Sequence, residues 1–192
     1  MPSLAPATEL SRLFSPRSIA IVGASDEPRR IGGQPVVALT KFGYRGELHL
    51  VNPKRASIAG RVCHPDLASV PRGCDVALVA VPAAQVPGVI DACGAAGIPF
   101  AIVLSAGFRE VGNDALEAQL AAAIAASGVR VLGPNCTGLL NLRERVFNGF
   151  GAGFRNPDLK AGPLAMVSQS GGFGYSVVAF AQACGLGFDY VV

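Results

Sequence analysis

The strongest constraint in this sequence is a repeated change of hydrophobic period. Short apolar runs closed by glycine or proline alternate with longer stretches of helical spacing. A strand that is apolar at consecutive positions must be covered on both faces, and a helix between two such strands covers one of them as the chain crosses over. Ser18 to Val22, Leu48 to Val51, Val76 to Val81, Phe100 to Leu104 and Val129 to Leu132 read as five strands. Val36 to Phe42, Val86 to Ala96 and Ala115 to Ala126 read as helices, the last rich in strong helix formers and followed by Gly128 as a C-terminal stop. Segment lengths suit right-handed crossovers. The expected fold is α/β, a Rossmann-like parallel sheet with helices on both faces, occupying residues 1–142.

Residues 143–160 lose all period and read as a linker or long loop. A second unit opens at residue 161: Pro163 to Val167 is strand-like, Ser168 to Gly172 a polar turn, Tyr175 to Ala183 helical, and Phe188 to Val192 another strand. A strand, a helix and a strand are too little for an independent core, so residues 161–192 read as the start of an incomplete domain. The strand at Phe188 is expected to carry an unpaired edge and apolar surface, so that self-association into a homo-oligomer, domain swapping or disorder is expected there.

Composition removes several functions. The 16 basic and 13 acidic residues leave a net charge of +3, with no basic run longer than Arg29-Arg30, so neither nucleic acid nor a membrane surface is an expected partner. Pro82, Gln85 and Pro87 break the longest apolar stretch, and Met1 to Thr8 lacks a leader pattern, which points to a cytoplasmic protein. Cys63, Cys74, Cys93, Cys136 and Cys184 are odd in number and contain no C-x-x-C pair; they read as thiols in a reducing compartment, with no metal site.

The chemistry lies in the turns that follow the strands. Val22 to Gly33 joins the first strand to the first helix, where Gly23 allows a tight turn, Ser25 offers a hydroxyl, and backbone N–H groups can meet a phosphate. It is not G-x-G-x-x-G, because Ser25 and Pro28 take the second and third glycine positions. The second strand ends in Asn52-Pro53-Lys54-Arg55, where a dinucleotide site would carry an acid. Lys54 and Arg55 suit a phosphorylated ribose instead, the 2'-phosphate of NADP or the 3'-phosphate of coenzyme A, or they form a solvated surface pair. Val81-Pro82, Ser105-Ala106-Gly107 and Gly133-Pro134-Asn135-Cys136 fall on the same rim of the sheet. Cys136 has no apparent catalytic partner and reads as a structural thiol. Ser168, Ser170, Gly171 and Gly172 form a further turn at a helix start, fit either to hold an anion or only to cap the helix.

Six of these segments in this order resemble the NDP-forming acyl-CoA synthetase superfamily, which includes ADP-forming acetyl-CoA synthetases and the succinyl-CoA synthetase alpha subunit. They are Pro16 to Ser25, Val51 to Lys54, Val79 to Ala83, Ser105 to Phe108, Gly133 to Cys136 and Val167 to Gly171. The resemblance implies a CoA-binding first domain and a flavodoxin-like second domain. It implies that Gly23, Ser25, Lys54 or Arg55, Val81, Pro82, Ser105, Ala106 and Gly107 line the CoA site, with Asn135 and Cys136 toward the thiol. Ser168 to Gly172 would meet an acyl phosphate or a phosphorylated histidine. Neither His49 nor His64 matches that histidine's position, so no catalytic residue is assigned in this chain. ATP or ADP and Mg would be handled by ligase and ATP-grasp portions outside it, in the same or a partner chain. Two other readings remain: an NADP-binding redox enzyme or sensor, and a non-catalytic CoA-binding regulatory protein.

Overall fold

A computed structural model describes residues 7–192; most of the stretch Met1 to Thr8 lies outside the described residues. The described residues form two sheets. The larger has seven strands: β1 (Ser18–Val22), β2 (Glu47–Val51), β3 (Ser57–Ile58), β4 (Arg61–His64), β5 (Val76–Val79), β6 (Phe100–Val103) and β7 (Arg130–Leu132), in the order β3-β4-β2-β1-β5-β6-β7. All its pairs are parallel except the short β3–β4 hairpin. The α/β expectation therefore holds.

The alternation of side chains along each strand divides the core in two. Ala20, Ala77, Val79, Ala101 and Val103 face one side, where α3 (Val86–Ala96) and α4 (Asp114–Ser127) bring Ile90, Cys93, Leu116 and Leu120. Ile19, Ile21, Leu50, Leu78 and Ile102 face the other, covered by Val36 and Leu39 of α2 (Gln34–Lys41). Because both faces are covered, β1, β5 and β6 are buried at every position, which is why they read as unbroken apolar runs. The helix ends follow local chemistry: Asn113 accepts from the Leu116 N–H, and Gly97 and Gly128 stop α3 and α4 in the left-handed conformation. A helix α1 (Ala7–Phe14), not among the helices read from the sequence, precedes β1; Arg12 from α1 and Arg17 from the link to β1 both reach the buried carboxylate of Asp75. Burial alone would raise that carboxyl, but its hydrogen bonds from the two arginines hold it below the ordinary range.

The second sheet departs from expectation. β8 (Gly138–Asn141), at the end of the stretch assigned to the Rossmann-like domain, and β9 (Val146–Gly149), in the expected linker, form an antiparallel hairpin. It is joined by β10 (Leu164–Met166) and β11 (Phe188–Val191), which flank α5 (Gly171–Ala183), giving a mixed sheet in the order β10-β11-β8-β9. The strand at Phe188 does not carry the expected unpaired edge. It pairs in parallel with β10 and antiparallel with β8, through Tyr190↔Asn141 and Val191↔Leu140. The ground for expecting self-association at that strand is thereby removed. The last residues obtain a core by borrowing the hairpin: Leu140, Leu142, Phe147, Phe154, Val178, Phe188 and Val191 pack together.

Candidate functional site

The carboxyl ends of β1, β2, β5 and β6 form one rim because their hydrogen bonding continues past the strands. Gly23 N–H donates to the Val51 carbonyl (2.9 Å), Ala80 N–H to Val22 (2.8 Å) and Leu104 N–H to Val79 (3.0 Å). Strand order reverses at β1, with β2 on one side and β5 on the other, which is where open α/β sheets leave a crevice. Gly23 sits at that point with φ +88°, and any Cβ there would strike the Ala80 carbonyl. Only glycine lets the two strand ends approach so closely.

Two adjoining clefts open over this point. One, of about 640 Å³, is lined by Gly23, Ser25, Arg29, Arg30, Lys54 and Arg55 among others and has no acidic residue in its wall. The second, of about 530 Å³, is mainly apolar, with Val22, Val51, Pro53, Val81, Pro82 and Val89 in its wall. Gly23, Arg30, Asn52, Lys54 and Ala80 belong to both, so the two make one groove with a cationic half and an apolar half.

Asn52 organises the groove. Its side-chain N–H donates to the Ala24 carbonyl (2.9 Å), while its Oδ1 accepts from the Lys54 N–H (2.9 Å). One amide thus ties the β1 loop to the β2 loop and fixes the turn that carries Lys54. Ser25 Oγ accepts from the Glu27 N–H (3.1 Å), and Asp26 Oδ1 from the Ala59 N–H (2.9 Å), fastening the loop to the β3–β4 hairpin. Arg30 and Asn52 escaped the sequence reading as site residues. The signal for Asn52 was the Asn-Pro pair, which favours such side-chain-to-backbone turns.

Farther along the rim, the Ser105 hydroxyl donates to the Val81 carbonyl (2.6 Å), joining the loops after β5 and β6. Gly107 lies against Ala83, and its N–H donates to Glu110, as does the Phe108 N–H (3.1 Å). Asn135 adopts φ +55° and its N–H donates to the Ser105 carbonyl (2.9 Å). Ser105, Ala106, Gly107, Asn135 and Cys136 therefore stand on the same rim but outside the walls of the two clefts. Cys136 is directed inward, its thiol 3.3 Å from the Val103 carbonyl, and burial pushes its pKa up to about 11. At neutral pH it remains a thiol and is a poor nucleophile.

The turn before α5 lies next to this loop, with Gly171 packed on Thr137. Ser170 caps the helix, accepting from the Phe173 N–H (3.4 Å), and the Ser168 hydroxyl donates to the Ser170 carbonyl (2.9 Å). Both hydroxyls thus serve local structure, leaving the backbone N–H groups of the first turn as donors toward solvent. His49 lies on β2, 3.5 Å from Glu47 and with its ring centroid 5.8 Å from that of His64; burial lowers its pKa, so it is neutral. Among the described residues no three His, Cys, Asp or Glu side chains cluster as a metal site, and no helix is long and apolar enough to cross a membrane.

Residues 17–141 match the CoA binding domain family. The chain is 36% identical over 185 residues to ADP-forming acetate–CoA ligase I of Archaeoglobus fulgidus, covering 95% of this chain and 26% of that protein. It is 34% identical over 189 residues to the alpha subunit of ADP-forming acetate–CoA ligase I of Pyrococcus furiosus, covering 95% and 40%. Among solved structures, the dinucleotide-forming acetyl-coenzyme A synthetase 1 of Ca. Korarchaeum cryptofilum, in complex with phosphate and ADP, superposes with a TM-score of 0.87 at 39% identity, covering 95% of this chain and 39% of that one. The chain thus spans between 26% and 40% of the length of these relatives.

Proposed function

Since the chain belongs to the CoA binding domain family and corresponds to the CoA-binding region of ADP-forming acyl-CoA synthetases, we propose that the groove over Gly23 holds coenzyme A. Its cationic half takes the phosphates, with Lys54 and Arg55 on the ribose 3'-phosphate and Arg29, Arg30 and the backbone around Ser25 on the diphosphate. The apolar half, including Val81 and Pro82, takes the adenine. The pantetheine arm then follows the rim past Ser105, Ala106 and Gly107, and the thiol ends near Asn135 and Cys136.

The observation that carries this reading is the sign and placement of charge. A dinucleotide site would hold a ribose hydroxyl with a carboxylate at the end of β2. Here Asn52 instead fixes a turn bearing Lys54, beside Arg30, on a strand switch point that only glycine can line. Charge-assisted bonds to a terminal phosphate are stronger than neutral ones, so the phosphate becomes the main selector. The rim is rich in small residues, which suits a long, thin ligand laid against backbone.

In the whole ligase this region would present the CoA thiol while acyl-CoA, ADP and phosphate are interconverted with the free acid, ATP and CoA. The start of α5, with Ser168, Ser170, Gly171 and Gly172, would stabilise the phosphorylated intermediate through its N–H groups. The groups that handle the nucleotide and Mg, and the histidine that carries the phosphoryl group, would be supplied by ligase and ATP-grasp portions outside these 192 residues.

Calorimetric titration tests the reading. CoA should bind at least about tenfold more tightly than dephospho-CoA, because one charge-assisted contact is worth more than about 1.4 kcal/mol. Lys54→Ala with Arg55→Ala should abolish that difference. Stronger binding of NADP than of CoA, or no binding of CoA, would remove the proposal.

A further inference from the structure

The loop that carries Arg29 and Arg30 is held at its start by Asn52, and Asp26 ties it to the β3–β4 hairpin. Its far end runs into α2, where Gln34 makes three further bonds. The Gln34 backbone N–H donates to the Arg30 carbonyl (3.0 Å), its side-chain Nε2 donates to the Arg29 carbonyl (3.4 Å), and its Oε1 accepts from the Gly151 N–H (2.9 Å). One side-chain amide thus joins the candidate phosphate loop to the segment that follows β9.

That segment is anchored in the core of the second sheet. Phe154 is buried there and meets the Tyr175 ring of α5 at a centroid distance of 5.1 Å, and Gly153 lies against the same ring. The helix that begins at Gln34 also touches both cores, with Val36 and Leu39 in the larger and Ala38 in the smaller. Gln34 itself lines neither cleft of the groove, so any effect it has on a ligand there passes through the loop. A loop that is ordered before binding spares the ligand the cost of ordering it.

We propose that Gln34 is a positioning residue: it fastens the Arg29-Arg30 loop to Gly151, so that the diphosphate half of the groove draws its order from the second sheet. The inference rests on the CoA reading of the groove. Coupling of this kind is reciprocal, so a ligand that holds the loop also steadies the Gly151 contact.

The test compares the 192-residue chain with Gln34→Met, which keeps the reach of the side chain and removes both of its hydrogen bonds. In calorimetric titrations CoA and dephospho-CoA should each bind about fivefold more weakly to the variant, the scale of one ordinary hydrogen bond. The ratio between the two ligands should not change, because Lys54 and Arg55 lie on the other loop. Gln34→Ala should behave in the same way, which guards against a misfit of the methionine. Hydrogen exchange gives the readout that a general loss of stability would not move: saturating CoA should slow exchange of the Gly151 N–H by about threefold or more in the wild type and leave it unchanged in both variants. If both variants bind CoA as the wild type does, if their CoA to dephospho-CoA ratio collapses, or if CoA slows Gly151 equally in all three proteins, the role of Gln34 is overturned and the CoA groove stands. If CoA does not bind the wild type, both fall.

Discussion

The two sheets solve the same problem with different amounts of their own sequence. In the seven-stranded sheet, β1, β5 and β6 are covered on one face by α3 and α4 and on the other by α2 together with Leu139 and Val146 of the β8–β9 hairpin. In the four-stranded sheet, β10 is largely exposed, and the core exists because the hairpin β8–β9 lends Leu140 and Phe147 to Phe188, Val191 and α5. Large exposed hydrophobics also collect in this part, with Val167 82% exposed and Phe180 74% exposed. The lesson is that a strand–turn–helix unit gains a core only when other elements cover its second surface. The hairpin lies between the two units in sequence and covers both, with Leu139 and Val146 in the larger core and Leu140 and Phe147 in the smaller.

The comparison can be broken most sharply at Phe147. It is fully buried in the smaller core and its ring meets Phe42 at a centroid distance of 5.2 Å. Phe147→Ala should cost about 4 kcal/mol, in the range for large core truncations. Hydrogen exchange should rise across β8, β9, β10 and β11 while β1, β5 and β6 stay protected; an equal rise in both sheets would mean that they unfold as one unit.

A somewhat smaller effect is expected at the rim of the larger sheet. Gly23→Val forces a branched side chain into a positive-φ position against the Ala80 carbonyl and should cost about 3 kcal/mol. Gly172→Ala at the start of α5 meets open space, and should change the thermal midpoint little or raise it slightly. Comparable losses from the two substitutions would contradict the different packing of these strand-to-helix turns.

The ion pairs give the smallest contrast. Asp75→Asn should cost about 2 kcal/mol at pH 7, since it removes charged hydrogen bonds from a buried site. The folded-state pKa of Asp75 lies below its ordinary value of 3.8, so this contribution is present above that value and is lost as the pH falls through the lower folded value. Wild type and Asn variant should therefore converge in urea midpoint in acid. Arg143→Ala breaks a more exposed pair with Asp189 in the smaller sheet and should cost less than about 1 kcal/mol.

The difference between the sheets also marks what could be read without coordinates. The parallel strands were legible because burial on both faces writes itself as consecutive apolar residues, although two of them end earlier than their apolar runs: β5 stops at Val79 and β6 at Val103. The hairpin was not legible. Gly138 to Gly149 mixes glycine, asparagine and arginine with its apolar residues, and although β8 and β9 pair locally, the other edge of β8 is completed by a strand more than 40 positions away, through Tyr190 for Asn141. At the candidate site, Gly23, Lys54 and Arg55 could be named from turn position and charge. Arg30 could not, because its place in the groove follows from the way the loop returns over β1, with Gly32 packed on the Gly23 carbonyl.

The sequence by itself determined the period of each main element, the turns that interrupt them, and the reversal of charge after the second strand, all of which are properties of neighbouring residues. Only the tertiary structure decided which strand completes the second sheet, which hydroxyls along the rim are already engaged, and that a cationic and an apolar cleft form one groove. Those outcomes depend on distant backbone groups competing for the same hydrogen bonds and apolar surface, and local pattern carries little information about which of them wins.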